Sequence, residues 1–85
     1  MPKTIDEMRN DMYIIRTSIG IDSESKKTAS TILGHLDGLY GHETLYEHPR
    51  AYQRLYDISL MRKKNLAIEI LCEWLTHYKP YIRKQ

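Results

Sequence analysis

From Pro49 to Tyr78 the chain holds no glycine and, after its first position, no proline, and its large apolar side chains return every three or four residues. Tyr52, Leu55, Tyr56, Leu60, Leu66, Ala67, Ile70, Leu71, Trp74 and Tyr78 fall on one side when the chain is turned by about 100° per residue, which is the helical period. Pro49 suits the first turn of a helix, where its missing N–H costs nothing. Lys63 interrupts the stripe, and Asn65 has the side chain of a helix cap. The stretch is therefore either one helix of about 45 Å or two helices that meet near 62–65. Arg62, Lys63, Lys64 and Asn65 include no helix breaker, which favours one long, bent helix over 49–78. Pro80 ends it and leaves a tail over 79–85.

The rest of the chain follows the same period. Ile5, Met8, Met12, Ile15 and Ile19 make one stripe on a helix over 4–19. Thr4 and Glu7 have the spacing of a capping box, and Gly20 supplies a residue that tolerates a left-handed conformation. A second helix is expected over 24–40, with Asp22, Ser23 and Ser25 as capping oxygens and Ala29, Ile32, Leu33, Leu36, Leu39 and Tyr40 as its apolar face. Gly34 and Gly38 share a face of that helix, which suggests close packing against a neighbour. Residues 41–48 read as a loop pinned by Leu45 and Tyr46. No alternating strand pattern is present. The expected fold is all-α, a single domain over 1–85 built as a bundle of three to four helices, with Leu36, Leu66, Ile70 and Trp74 in its core.

Size and composition exclude several function classes. A domain of 85 residues is too small to enclose a large cofactor. The only cysteine, Cys72, rules out an internal disulfide and a multi-cysteine zinc site. By residue type it reads as a small buried hydrophobe. No run reaches the ~18 apolar residues of a membrane span. The polar start of the chain lacks a signal-peptide core, so a cytoplasmic protein is expected.

Chemistry-bearing motifs are incomplete. His35, Asp37, His42, Glu43, Glu47 and His48 lie close together in sequence. His42-Glu43 opens like the zincin motif H-E-x-x-H, but Tyr46 stands where the second histidine is required. The reversed motif H-x-x-E-H fails at Thr44. No nucleophile elbow and no glycine-rich phosphate loop is present. No enzyme activity, metal or cofactor is expected.

Charge is distributed unevenly. Residues 1–47 carry five basic and eight acidic side chains, for a net of −3, whereas residues 48–85 carry eight basic and three acidic, for +5. Arg50 and Arg54 stand one turn apart, and Arg62, Lys63 and Lys64 follow, with Tyr52 and Tyr56 interleaved. These seven residues are the candidate partner-binding set. The expected function is a small helical protein-interaction module: a regulator, inhibitor or adaptor that presents a helix face to a protein partner. The alternative is a nucleic-acid-binding accessory protein that uses the basic half, where the tail Tyr78-Lys79-Pro80-Tyr81-Ile82-Arg83-Lys84 also interleaves tyrosines with cations, since cations bind phosphates and tyrosines stack on bases. A long third helix would outreach the other two and leave part of its stripe uncovered, which points to a homodimer.

Ile5-Asp6-Glu7-Met8-Arg9, Gly20-Ile21 and Leu36-Asp37-Gly38-Leu39 resemble the helical hairpin of the small Spo0E-like aspartyl-phosphate phosphatases. The resemblance covers under half the chain and implies a hairpin of the first two helices. That family's second helix reads S-Q-E-L-D, where this chain has Leu33-Gly34-His35-Leu36-Asp37, so its serine is missing. No phosphatase residue carries over.

Overall fold

A computed structural model describes residues 2–61 and 64–78 of the protein. Among them the chain forms four helices: α1 (Ile5–Thr17), α2 (Ser23–Leu36), α3 (Pro49–Ser59) and α4 (Leu66–Thr76), with one 3₁₀ turn at Leu45–Glu47. No strand occurs among the described residues. The expected bundle is therefore present, and its helix count is the higher of the two alternatives.

The first two helices start where their capping residues put them. The Thr4 hydroxyl accepts from the Glu7 N–H, and the Glu7 carboxylate accepts from the Thr4 N–H at 2.9 Å. Asp22 Oδ2 accepts from the Ser25 N–H at 2.9 Å, and the Ser25 hydroxyl donates to Asp22 Oδ1 at 2.7 Å. Those two bonds hold the Asp22 carboxyl below its ordinary range. Both helices end earlier than their apolar stripes suggest. Ile19 lies beyond α1 and is fully exposed, and Gly20 takes the left-handed conformation at φ 89°. Gly38, at φ 82°, lies past the end of α2, and a Cβ at Gly34 would meet nothing. The two glycines mark a helix end and an open surface rather than a close helix–helix approach. A close approach does occur at Gly41, where a Cβ would run into the Asp6 carboxylate. This lets the loop lie on the start of α1, with the Ile5 and Asp6 N–H groups donating to the carbonyls of Glu43 and Gly41 at 2.8 and 2.9 Å. Four N–H groups at a helix start lack intrahelical partners, and the loop satisfies two of them.

The single long helix over 49–78 is not formed. The chain leaves the helix at Leu60, and Asn65 re-enters in an extended conformation at φ −149°, ψ 172°. Asn65 Oδ1 accepts from the Ile68 N–H at 3.0 Å, and its amide donates to the Thr28 hydroxyl at 3.0 Å. The buried Ser25 hydroxyl accepts the Leu66 N–H at 2.9 Å. Ser25 of α2 thus takes over a backbone donor that a continuous helix would have used internally, and Thr28 tethers the Asn65 side chain beside it. The link lets α4 fold back across α2 and α3, so both halves of the stripe find cover in the same chain. The premise of the homodimer expected above, an overhanging helix, does not hold. Asn65→Ala removes both the cap and the tether. It should lower stability by about 1–2 kcal/mol, seen as a shift of the urea midpoint without loss of helix signal at zero urea. An unchanged midpoint would mean that the tether contributes nothing.

The core is contributed by all four helices, with Ile5, Met8, Met12, Ile32, Leu36, Leu55, Leu71 and Trp74 all at most 1% exposed. The break resets the helical phase, so the core expected from one continuous stripe needs correction. Leu36 and Trp74 are buried, Ile70 is half-buried, and Leu60 and Leu66, at the two ends of the break, are 64% and 37% exposed. Ile58, Ile68 and Leu75, off the continuous stripe, are buried instead. Cys72 is exposed rather than buried, because it follows Leu71 by one position and so turns away from the core.

Candidate functional site

The seven residues singled out by charge and type do not form one surface. Arg50 and Arg54 are exposed on the outer face of α3, because Ala51, Tyr52, Leu55 and Ile58 fix its inner face. Lys64 is exposed just before α4. Arg62 and Lys63 lie outside the described residues, as does the tail over 79–85. Tyr52 is a core residue at 2% exposure, and Tyr56 is half-buried and stacked on it, with ring centroids 6.3 Å apart and planes 14° from parallel.

These tyrosines belong to an aromatic cluster with a structural task. The Tyr78 ring lies 4.8 Å from that of Tyr46 and 5.8 Å from that of Tyr52. Its hydroxyl accepts from the Leu45 N–H at 3.1 Å and donates to the Lys3 carbonyl at 3.2 Å. The loop is thereby fastened to the end of α4, with Leu45 fully buried as expected and Tyr46 lying over Tyr78. Burial pushes the Tyr52 phenol up to about 12 and also raises that of Tyr78. A phenol held neutral in this way has no base or nucleophile role near neutral pH.

The histidine-rich loop is spent on structure as well. His48 Nε2 meets Glu43 Oε1 at 2.8 Å, and the Glu47 carboxylate accepts from the Thr44 N–H and hydroxyl at 2.9 and 2.7 Å. Among the described residues, no three His, Cys, Asp or Glu side chains come together as a metal-binding group. No helix among them is long and apolar enough to cross a membrane.

One surface stands out by what it leaves open. A groove of about 320 Å³ runs between α1 and α4, with Ile14, Ile21, Leu66 and Ile70 along it, Trp74 at its base and Glu73 at its edge. Trp74 is 1% exposed, and its indole N–H donates to Asp11 Oδ2 at 3.0 Å. Asp11 also meets the Lys3 ammonium at 3.3 Å. Ile14 is 52% exposed and Leu66 37%, although a mainly buried helical chain can turn such side chains inward. The groove exists because α1 and α4 touch each other sparingly and are each held by α2. It joins residues about fifty positions apart, on either side of a break that carries no Gly or Pro. Only the exposed outward position of Ile14, one residue off the α1 stripe, could have signalled it.

None of the protein-family models, curated proteins and solved structures compared with the chain matches it.

Proposed function

We propose that the protein is a small helical interaction module, a regulator, inhibitor or adaptor, that receives an apolar segment of a protein partner in the α1–α4 groove. The observation that carries this reading is the continuous apolar lining of Ile14, Ile21, Leu66 and Ile70, with charged Lys3, Asp11 and Glu73 around it. An apolar centre with a polar rim is the usual anatomy of a protein–protein contact. Four half-open aliphatic side chains over a rigid tryptophan suit the apolar face of an amphipathic helix. The alternative, nucleic-acid binding by the basic half, loses Tyr52 and Tyr56 as stacking platforms because Tyr52 is buried and Tyr56 leans on it, and Tyr78 is buried as well, while Tyr81 lies outside the described residues. The exposed free thiol of Cys72 fits a reducing compartment, which agrees with a cytoplasmic setting.

The test is capture of partners on the immobilised chain, comparing the parent with Ile14→Asp/Leu66→Asp. Both positions face solvent, so the double variant should keep its helix content. A protein held by the parent after nuclease treatment should bind the variant at least about tenfold more weakly, as removal of central apolar contacts does. Equal retention by parent and variant would refute the groove. Retention that disappears with nuclease, or falls steeply with salt, would favour the nucleic-acid reading.

A further inference from the structure

We infer that residues 79–85 of this chain fold back into the α1–α4 groove and occupy it until a partner displaces them. The inference rests on the reading of that groove as a partner site, and it supplies the element that regulates it. Residues 79–85 lie outside the described residues. Where the described chain stops, how far seven residues reach and what side chains they carry all point to this groove.

α1 and α4 run in opposite directions along the groove, since Tyr78 bonds to Lys3 and Trp74 to Asp11. Ile21 and Leu66, both in the lining, therefore lie at its far end. Lys3 is part of the same lining, so the described chain stops with the Tyr78 hydroxyl at the near end. Pro80 has no N–H with which to extend α4, and its ring would clash with the preceding helical turn. A chain that turns there and doubles back runs along the groove beside α4. Leu66 lies about 18 Å back from Tyr78 along a helix. Seven extended residues span about 23 Å, enough to reach the far end. Ile70 lies about 12 Å back, and Ile82 reaches about 13 Å from Tyr78.

The side chains match what the groove offers. Tyr81-Ile82 is an apolar pair between Lys79 on one side and Arg83-Lys84 on the other, with no acidic residue from 79 to 85. The groove is an apolar strip of half-open Ile14, Leu66 and Ile70 between the carboxylates of Asp11 and Glu73. Lys3, the one cation in the lining, is paired with Asp11. Glu73 is exposed and in no ion pair among the described residues, so it is open to a cation of the tail. A short tether gives the tail an effective concentration in the millimolar range. A partner segment then enters only in competition with it, and its apparent affinity falls with the fraction of open groove.

A spin label on the full chain tests this directly. Cys72→Ser removes the native thiol, and Gln85→Cys carries the nitroxide. The amide signals of Ile14, Ile21 and Leu66 should be broadened, and they should recover when the nitroxide is reduced. Tyr81→Ser/Ile82→Ser should abolish the broadening with circular dichroism unchanged, and Glu73→Lys should weaken it. Broadening confined to the 41–48 loop, or to the residues next to the label, would overturn the inference. So would broadening that survives Tyr81→Ser/Ile82→Ser. Broadening passed from spin-labelled chains to unlabelled chains in a mixture would overturn it too, by giving the tail to a second copy. Partner capture with Ile14→Asp/Leu66→Asp reads the groove separately. A tail that lies elsewhere while the groove still captures a partner overturns this inference alone. A tail in a groove that captures nothing, even in Tyr81→Ser/Ile82→Ser, overturns the partner reading instead.

Discussion

Trp74→Ala is expected to destabilise the protein by about 3–5 kcal/mol, the usual range for emptying a large aromatic site. Domains of this class have only about 5–15 kcal/mol in total. Trp74 is 1% exposed and sits where α4 meets α1. Its removal opens a cavity and strips Asp11 of one of its two partners, the other being Lys3. Far-UV circular dichroism in urea should show the midpoint lowered by at least about 2 M. Trp74→Phe keeps one aromatic ring but loses the five-membered ring and its N–H, so it should cost less than Trp74→Ala, about 1–3 kcal/mol. A Trp74→Ala protein with the parent's midpoint would mean that α4 is not docked through this residue.

Alkaline unfolding should be the second large effect. Burial pushes the Tyr52 phenol up to about 12, aided by repulsion from Tyr56, Tyr46 and Tyr78 if these ionise, and Tyr78 is raised by its own burial. An unfolded tyrosine titrates near 10, so the folded state holds this proton more tightly than the unfolded one. The resulting stabilisation is complete below about pH 10 and is lost as pH climbs towards 12. A shift of that size is worth roughly 2–3 kcal/mol for Tyr52 alone. Urea midpoints measured from neutral to high pH should fall across this window, and Tyr52→Phe should flatten the fall. A Tyr52→Phe protein with the parent's pH slope would show that Tyr52 ionises without opening the core.

The sequence was legible where a few neighbouring residues decide the outcome. The capping box of Thr4 and Glu7, the Asp22 cap and the buried Leu45 needed only local spacing. The break between α3 and α4 was half legible. Asn65 is a recognisable cap, but no Gly or Pro forces the helix to stop, and what decides is Ser25 and Thr28 on a different helix. Carrying the stripe across that break placed Leu66 inside and left Ile68 out. Cys72 went the same way, judged by residue type rather than by phase. Arg9 shows the limit most plainly. Its guanidinium donates to the Leu36 and Leu39 carbonyls at 2.7 Å each, closing the end of α2 from α1, and no local pattern encodes it. The candidate site followed the same division. Exposure of Arg50 and Arg54 could be read from α3 alone, whereas the burial of Tyr52 and the α1–α4 groove depend on how distant segments meet.

The Tyr78 hydroxyl, bonded to Lys3 and Leu45, sets an order of events during synthesis. The chain emerges from the ribosome with α1 and α2 first, and these can pair early because their contacts are close in sequence. The Lys3 carbonyl then waits for a partner 75 residues later, and Asp11 waits for one 63 residues later. Until Tyr78 clears the exit tunnel, the nascent hairpin displays Ile5, Met8 and Met12 without the layer that finally covers them. The domain therefore closes only once Tyr78 is free to reach Lys3, and until then the growing chain is most open to chaperones and to other copies of itself.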